Sequence, residues 1–430
     1  MIKILVIRCA TRAYTGLTHI NPQERDDMTA TLLSSSSFEP ARAAGLRRLS
    51  EFVPLAGAHY AARRNTDYGP HQPSAVSRLS PYLRYRLITE EETVHAVLQH
   101  HTYKASEKFI QEVLWRTYWK GWLAMRPEVW QRYQREHDVL KEHYRDDPAL
   151  RGAEQGETGI EGFDDWAKEL VQTGYLHNHA RMWFASIWIF TLKLPWALGA
   201  AFFLRHLLDA DAASNTLSWR WVAGLQTPGK IYLATPDNIA RFTNGRFAPK
   251  GLTLNAEALV EPPLAAPKPL TALKPIESEV PTILLLHPDD LHPELARLKK
   301  ENLKAVFLLN DRHLFWGEKA HEFITASHDD LKKRIAQQYD LPLISLSMDS
   351  PNQLIDYAKS NAIKQIVTPY APEGLVSVWL RSFEMELSTA GLPLIHYRRV
   401  WDETFWPHAT KGFFPFKENA PMILQELGRL

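Results

Sequence analysis

The sequence predicts two domains, an all-helical domain followed by a parallel α/β domain. Three observations carry this prediction. From Phe38 to about Trp221, apolar residues recur at helical spacing, with no clear strand among them. Residues 261–281 then hold six prolines, which interrupt the pattern. Beyond them, short apolar runs alternate with helical segments, as in a parallel sheet covered by helices.

The composition is that of an ordinary globular protein. The chain has 430 residues, of which 45% are apolar and 23% charged, and this length is sufficient for two hydrophobic cores. The formal net charge is +1, so any contact with nucleic acid must come from a local basic face. The single cysteine, Cys9, excludes a disulfide framework and an all-cysteine iron–sulfur site. We therefore expect a cytoplasmic protein.

The helical domain is predicted over residues 38–255, after an N-terminal extension (1–37) that contains a serine-rich loop. SRLSPYL predicts a turn that opens a helix, with Ser80 as the N-cap and Pro81 at the first helical position. Residues 105–135 predict a long helical stretch.

Two further segments of the helical domain need separate arguments. Residues 146–162 are rich in Gly and Asp and predict a loop. The apolar run Ala185–Leu208 could be read as a membrane span, but a bilayer would disfavour Lys193 near its middle. We instead expect two buried helices that meet near Pro195, and no membrane association.

The α/β domain is predicted over residues 282–430, behind a proline-rich linker at residues 256–281. Its strands are expected where short apolar runs occur between helical segments, at residues 283–286, 305–309, 342–346 and 365–368.

Two stretches concentrate the polar and aromatic residues that could form a site, namely Gly174–Met182 and Asp209–Trp221. A carboxylate beside an apolar segment needs a partner, and Arg181 is the natural candidate for Asp209. The carboxylates could also bind the hydroxyl groups of a cofactor. As structure alone, they would be a surface pair and the tryptophans would be core residues.

Two familiar motifs are present only in part. Gly224-x4-Gly229-Lys230 resembles a phosphate loop, but Ile231 stands where Ser or Thr must hold magnesium. His177 and His179 would need a third ligand to bind zinc.

Four segments together resemble the photolyase/cryptochrome flavoproteins, in the right order and at roughly the right spacing. They are SRLSPYL (77–83), FIQEVLWRTYW (109–119), GYLHNHARM (174–182) and DADAASNTLSWRW (209–221). The resemblance implies a helical FAD-binding domain and a Rossmann-like or flavodoxin-like α/β domain. FFPFKENAPMIL (413–424) also resembles a segment near the end of that α/β domain. Since the family normally places the α/β domain first, the chain resembles a circularly permuted member.

The resemblance implies a set of residues that hold the flavin. Ser77, Leu79 and Ser80 would contact its phosphates, Arg181 would pair with Asp209, and Asn215 would lie opposite its reactive nitrogen. The full implied set is Tyr60, Ser77, Leu79, Ser80, Phe109, Arg116, Tyr175, Arg181, Asp209, Asp211 and Asn215.

The resemblance also implies a light-driven lyase that splits cyclobutane pyrimidine dimers in UV-damaged DNA. The dimer pocket would consist of Glu112, Trp115, Asn178, Met182 and Trp221. Trp219 and Trp196 would be the first two members of an electron-transfer chain that reduces the flavin. The expected third member falls near His143 and Tyr144, so Tyr144, Trp166, Trp183 or Trp188 could take its place.

Several departures from the family pattern keep an alternative function open. Val76 and Thr117 replace residues that are usually Thr and an acid, and His179 stands where an arginine often grips DNA phosphate. A cryptochrome-like photoreceptor or redox flavoprotein without repair activity is therefore the alternative, and a helical scaffold without flavin is a third interpretation. We expect a monomer. An antenna chromophore near Tyr370, Glu373 and Trp379 stays unidentified.

Overall fold

The computed structural model describes residues 38–72, 74–295 and 298–430. The N-terminal extension predicted for residues 1–37, with its serine-rich loop, lies outside the described residues.

The first part of the described chain is helical, as the apolar periodicity predicts. Its helices are α1 (Arg42–Phe52), α2 (Ala58–Arg63), α3 (Ser80–Arg84), α4 (Glu90–Leu98), α5 (Tyr103–Ala124), α6 (Pro127–His143), α7 (Pro148–Gln155), α8 (Phe163–Thr173), α9 (Asn178–Ser186), α10 (Trp196–His206), α11 (Ala212–Val222) and α12 (Pro236–Phe242).

The long helical stretch predicted over residues 105–135 is confirmed, but it consists of two helices, because α5 ends at Ala124 and α6 begins at Pro127. Proline has no backbone N–H to donate and is well placed at the start of a helix, so it separates the two. The helix predicted to open at Ser80 is present and spans five residues, but its N-cap is not Ser80. Leu79 is its N-cap, and the left-handed backbone of Arg86 (φ 52°) follows soon after its end.

The loop predicted over residues 146–162 contains the short helix α7. The Asp147 side chain accepts a hydrogen bond from the backbone N–H of Leu150 at 2.8 Å and so caps the start of the helix. Gly156, with φ 67°, ends it in the left-handed conformation that favours glycine.

The apolar run Ala185–Leu208 forms two buried helical segments that meet at Pro195, as predicted. Helix α9 continues into a π-helical turn at Ile187–Thr191, and α10 begins directly after Pro195. A methyl group on Gly199 would lie 2.3 Å from the Trp219 ring, so only glycine lets α10 and α11 approach this closely. None of the helices in the described part of the chain has both the length and the apolar character needed to span a bilayer.

Residues 243–281 contain no helix or strand and run along the helical part. The backbone N–H of Leu259 donates to the carbonyl of Ala223 at 3.0 Å, and that of Lys268 donates to Met125 at 2.8 Å. The buried Arg220 also pairs with Glu261. The proline-rich segment is therefore anchored to the helices at several points, and its role as a stiff linker stays a prediction. Where the domain boundaries fall stays a prediction.

The rest of the described chain forms a five-stranded parallel sheet covered by helices. Strand order is β3-β2-β1-β4-β5, and every pairing is parallel. The strands are β1 (Thr282–Leu286), β2 (Leu303–Leu309), β3 (Leu343–Leu346), β4 (Gln365–Pro369) and β5 (Leu394–Tyr397). The helices are α13 (Glu318–Ala326), α14 (His328–Tyr339), α15 (Asn352–Ser360), α16 (Leu375–Thr389), α17 (Val400–Phe405), α18 (Phe413–Glu418) and α19 (Ala420–Glu426).

Sequence reasoning found the first four strands and missed β5. The first four runs are four or five apolar-rich residues, whereas β5 is LIHY, in which only the first two residues are buried. β3 is an equally short edge strand, but its run PLISL holds three aliphatic residues, whereas β5 holds two, followed by His396 and Tyr397.

The carboxyl edge of the sheet faces the helical part. The loop after β1 carries Asp289, which pairs with Arg84 at 2.7 Å, and Asp290, which lies 3.2 Å from Arg86. The helices α17 and α18 pack along α5. Helices thus precede the sheet in this chain, and the origin of this order by circular permutation stays a prediction.

Candidate functional site

A cavity of about 530 Å³ lies within the helical part. Its walls come from α2, α5, α9 and α11, together with the segment that leads into α3. Pockets of about 300–1,000 Å³ are typical of small-molecule and cofactor sites. This cavity is therefore large enough for an extended ligand.

The cavity brings together nearly all of the side chains that the sequence predicts for a site. Those that line it are Tyr60, Ser77, Leu79, Ser80, Phe109, Glu112, Trp115, Arg116, Tyr175, Asn178, Arg181, Met182, Asp209, Asn215, Trp219 and Trp221. Two predicted residues, Asp211 and Trp196, do not line it.

Asp209 and Arg181 form the ion pair that the sequence predicts. Both guanidinium nitrogens of Arg181 donate to the carboxylate, at 3.0 and 3.2 Å. Burial alone would raise the pKa of Asp209, but the charges of Arg181 and Arg116 outweigh it and hold the pKa below its usual value. Asp209 is therefore an ionised acceptor in the cavity wall, positioned to take hydrogen bonds from hydroxyl or N–H groups of a ligand.

Asp211 lies one step behind the cavity wall. Its carboxylate caps α11 by accepting from the backbone N–H of Ser214 at 2.7 Å, and it lies 3.4 Å from Arg116 and 3.9 Å from Lys120. Burial opposes ionisation, but Lys120 and Arg116 hold the pKa of Asp211 well below its usual value. This geometry orients Arg116, and direct contact of Asp211 with a flavin stays a prediction.

The side chain of Asn215 presents an acceptor to the cavity. Its Nδ2 donates to the carbonyl of Ala200 at 2.9 Å, which fixes the amide and leaves Oδ1 for a ligand. Two other polar atoms of the lining, Ser214 Oγ and Trp219 Nε1, are buried and have no hydrogen-bond partner within the described residues. Buried polar atoms of this kind normally have a hydrogen-bond partner, so these two atoms favour a ligand that carries polar groups.

Cationic side chains line the same cavity. Arg64, Arg78, Arg116 and Arg181 all reach it, and they favour an anionic ligand such as a diphosphate. Arg78 has a left-handed backbone (φ 52°), which is strained for a non-glycine residue. This turn presents both neighbours, Ser77 and Leu79, to the cavity. The donor set therefore fits the diphosphate, ribityl and ring-edge groups of FAD.

Helix α5 places a second group of side chains on one wall. Glu112, Trp115, Arg116 and Trp119 recur at spacings of three and four, and all four line the cavity. Burial raises the pKa of Glu112, while Arg64, whose Nε lies 3.9 Å away, opposes the shift. With Asn178, Met182 and Trp221 from α9 and α11, this wall combines flat aromatic surfaces with hydrogen-bonding groups.

Sequence reasoning missed part of the lining and did not predict that His179 is buried. His179 Nδ1 contacts the carbonyl of Asn65 at 2.8 Å, its Nε2 contacts the Tyr232 hydroxyl at 3.2 Å, and its ring stacks on Trp183. Burial lowers the pKa of His179, so it is neutral near pH 7. Asn65, Arg78, Ser214 and Ser218 also line the cavity. Asn65 and Arg78 lie between helices, in segments that carry no periodic signal, whereas Ser214 and Ser218 are four residues apart on α11, beside Asn215 and Trp219, and helical spacing could have found them.

Trp196 is buried on α10, and its nearest aromatic partner is Tyr133, with ring centroids 5.6 Å apart. Tyr133 in turn lies 5.0 Å from Trp130, and Trp130 lies 5.4 Å from Trp316 of the sheet part. The sequence did not single out Tyr133. Of the alternatives that it did name, Trp188 lies 6.2 Å from Trp219, and the Trp166 and Trp183 rings stack at 5.3 Å.

The region expected to hold an antenna chromophore is closely packed. Arg398 lies 4.7 Å from the Tyr370 ring centroid, Trp379 stacks on Phe383, and burial raises the pKa of Glu373. The cavity beside Glu373 measures about 10 Å³, the size of one water molecule. No group of three or more His, Cys, Asp or Glu side chains in the described ranges is arranged to hold a metal ion.

Residues 109–244 match a protein family whose model is described as the FAD binding domain of DNA photolyase. A deoxyribodipyrimidine photo-lyase of Streptomyces griseus is 36% identical over 154 residues, which cover 36% of this chain and 33% of that protein. The enzyme of that name from Thermus thermophilus is 30% identical over 243 residues, or 55% of this chain and 54% of its own length.

Among solved structures, a bacterial class III photolyase from Agrobacterium tumefaciens is 27% identical with a TM-score of 0.39, and covers 47% of this chain and 44% of its own. The matches to the two curated relatives named above span between a third and about half of their length.

Proposed function

We propose that this protein is a light-driven lyase that splits cyclobutane pyrimidine dimers in UV-damaged DNA, because residues 109–244 match the FAD binding domain of DNA photolyase and relatives named deoxyribodipyrimidine photo-lyase are similar to part of the chain. FAD, when bound, would supply the electron that opens the cyclobutane ring and would take it back afterwards. The protein supplies binding, orientation and electrostatics.

One observation carries this proposal. The predicted dimer-pocket residues (Glu112, Trp115, Asn178, Met182 and Trp221) line the same cavity as the predicted flavin residues Asp209 and Asn215. The cofactor and the flipped pyrimidine dimer must lie close together for the electron to pass, and a shared cavity meets this requirement.

The residues on the α5 wall would bind and orient the damaged bases. Photolyases act on bases extruded from the duplex, and extruded bases are held by stacking and by hydrogen bonds to their edges. Trp115 and Trp221 would supply the stacking surfaces. Glu112, whose pKa is raised by burial, would hold a proton at its carboxyl more readily than an exposed glutamate and could donate it in a hydrogen bond to a base carbonyl. Asn178 would contact the polar edge, and Met182 would pack against the ring.

A direct test uses the flavin-loaded, reduced protein with a short oligonucleotide that contains one thymine dimer. We expect blue light to restore the undamaged thymines and darkness to leave the dimer intact, as measured by chromatography of the oligonucleotide. We expect the variant Glu112→Ala to repair the dimer at least about tenfold more slowly. A hydrogen bond to a group that is charged or becomes charged is worth about 1.5–3 kcal/mol. Gln111→Ala, at the neighbouring position outside the cavity, should repair normally.

A flavin-loaded protein that leaves the dimer unchanged after prolonged illumination would exclude the lyase. In that case a photoreceptor or redox flavoprotein without repair activity is the second candidate. The buried, neutral His179 favours it, because a residue bonded to Asn65 and Tyr232 is not available to grip a DNA phosphate. This candidate predicts light-dependent flavin reduction together with negligible affinity for damaged DNA at all salt concentrations.

A further inference from the structure

Trp115 is stacked on its far side by an aromatic residue from the other end of the chain. The Trp115 and Phe413 ring centroids lie 3.6 Å apart with an interplanar angle of 9°. Trp115 lines the cavity, whereas Phe413 does not. The indole therefore has one face covered by Phe413, and the ring that meets the cavity is held in a defined plane.

The segment that carries Phe413 is fastened to α5 and to the residues that follow it. The Tyr118 hydroxyl donates to the carbonyl of Lys411 at 2.8 Å, and Arg126 donates to that of Thr410 at 2.7 Å. Lys417 pairs with Glu107 at 2.9 Å. Phe413 is buried, whereas its neighbour Phe414 is 68% exposed. Of these two adjacent phenylalanines, only Phe413 is buried against Trp115.

Trp221 also has an aromatic stacking partner. Its ring stacks on Tyr232, with centroids 5.8 Å apart and an interplanar angle of 28°. Tyr232 does not line the cavity either. The Tyr232 hydroxyl lies 3.2 Å from His179 Nε2 and 3.4 Å from Asn238 Oδ1, so it has two polar partners. The ring of Tyr232 is therefore anchored at its polar end.

We propose that Phe413 and Tyr232 are positioning residues that fix the planes of Trp115 and Trp221, so that two preset aromatic faces receive the fused pyrimidines. This inference rests on the proposed function. The physical reason is that a stacked ring limits the rotamers of each tryptophan before binding, and less conformational entropy is then lost when a base enters. Neither residue touches the substrate.

The test at Phe413 compares three substitutions in the flavin-loaded full-length protein. Phe413→Leu fills the space without a flat ring, Phe413→Tyr keeps the ring, and Phe414→Ala removes the exposed neighbour as a control. We expect the dissociation constant for a thymine-dimer oligonucleotide to rise about two- to tenfold in Phe413→Leu, the range of an aromatic pair. Phe413→Tyr and Phe414→Ala should bind like the unchanged protein.

A structural role alone would give a different pattern. Flavin content and the yield of repair per bound dimer should be unchanged in Phe413→Leu, because only the binding step is affected. Wild-type affinity in Phe413→Leu, or a loss of flavin together with affinity, would overturn the proposal for Phe413. The matched pair at the second position is Tyr232→Leu, which should weaken binding to a similar extent, and Tyr232→Phe, which keeps the stack. Equal affinity of these two variants would overturn the role of Tyr232.

A double-mutant cycle with Trp115→Ala separates this inference from the proposed function. If Trp115→Ala alone leaves dimer binding unchanged, the dimer pocket is wrong and both proposals fall. If Trp115→Ala weakens binding and Phe413→Leu weakens it again by the same factor in that background, the pocket stands and the positioning role is wrong. The inference requires that the effect of Phe413→Leu disappear once Trp115 is absent.

Discussion

Arginines and carboxylates cluster in two regions of this molecule, at the cavity in the helical part and at the carboxyl edge of the sheet. At the cavity, Arg181 pairs with Asp209 and is still 23% exposed. At the sheet edge, the 5% exposed Arg86 contacts Glu90 at 3.7 Å, Asp290 at 3.2 Å and Asp402 at 2.6 Å. The residue types are the same, but at the sheet edge the cationic group is fully enclosed by protein carboxylates.

Arginine–carboxylate pairs therefore have two roles in this fold, since one set lines a cavity and the other joins the sheet to the helices. An open parallel sheet normally binds ligands beyond the carboxyl ends of its strands, where the strand order reverses. In this sheet that point lies between β1 and β4. The carboxylates of the loop after β1 instead pair with Arg84 and Arg86 of the helical part, and we call this region the filled edge. The sheet edge therefore joins the two parts of the chain, and the cavity keeps its donors for a ligand.

The largest expected effect comes from removing the arginine at the filled edge. Arg86→Met would leave Asp290, Asp402 and Glu90 buried around an uncharged side chain. We expect a loss of about 3–5 kcal/mol in the free energy of unfolding, the cost of breaking a buried ion pair from one side. Denaturant unfolding measures it, with the exposed Arg145→Ala as the control. A change below about 1 kcal/mol would mean that the sheet edge does not hold the two parts together.

The matching change at the cavity should affect the ligand more than the fold. Asp209→Asn keeps the side-chain volume but removes the charge that pairs with Arg181. We expect the affinity for FAD to fall by roughly 100-fold, since charge-assisted hydrogen bonds contribute about 1.5–3 kcal/mol. Flavin absorbance after dialysis measures retention, and unfolding of the flavin-free protein measures stability. A variant that loses stability but keeps its flavin would reverse the contrast between the two regions.

The residues of the cavity could be predicted from the sequence more readily than those of the filled edge, and the reason is their separation along the chain. Asp209 and Arg181 lie 28 positions apart, within motifs on neighbouring helices, so their pairing could be predicted. Arg86 is 204 positions from Asp290 and 316 from Asp402. Their contact depends on how the sheet docks on the helices, and no local pattern encodes it.

The same reasoning explains the stacks on the two tryptophans. The sequence marked FFPFKENAPMIL as a family-like segment but gave no function for it, because Phe413 meets Trp115 only through long-range packing. By contrast, the break between α5 and α6 could have been found in the sequence, since Pro127 interrupts the helical pattern that was read as continuous.

A pH titration gives a smaller effect and tests the filled edge in a second way. Burial would raise the pKa of Glu92, but Arg42, which donates to it at 2.6 Å, and the nearby His292 lower it to about 2. A lowered folded-state pKa means that the stabilisation is complete above the unfolded value of 4.5 and is lost as the pH falls towards 2. Glu92→Gln should therefore flatten the decrease in stability between about pH 5 and pH 2, and cost about 2 kcal/mol at pH 7.

Acid unfolding followed by circular dichroism measures this slope, with the exposed Glu142→Gln as the control. An unchanged slope in Glu92→Gln would assign the acid sensitivity to other carboxylates. Asp290 is the first of these to examine, because Arg399 and Arg86 outweigh its burial and hold its pKa well below its usual value.

The smallest expected effect concerns the aromatic path that leads from Trp196 through Tyr133 and Trp130 to Trp316 of the sheet part. From the cavity residue Trp219, the predicted electron-transfer chain continues to Trp196, whose ring contacts Tyr133 at 5.6 Å. The path then reaches Trp130 and Trp316, and Trp316 lies beside Asp289 at the filled edge. We expect Tyr133, rather than the sequence-suggested Tyr144, to be the third member of the chain.

Tyr133→Phe keeps the ring contact but removes the hydroxyl, which a tyrosine must deprotonate when it gives up an electron. Light-driven reduction of bound FAD by an external thiol should therefore slow about tenfold, which corresponds to about 1.4 kcal/mol of activation free energy. Tyr144→Phe should not change the rate. Flavin absorbance during blue illumination measures both variants. If flavin reduction were slow in Tyr144→Phe and normal in Tyr133→Phe, the electron path would not lead towards the sheet. The cavity and the filled edge would then be independent sites.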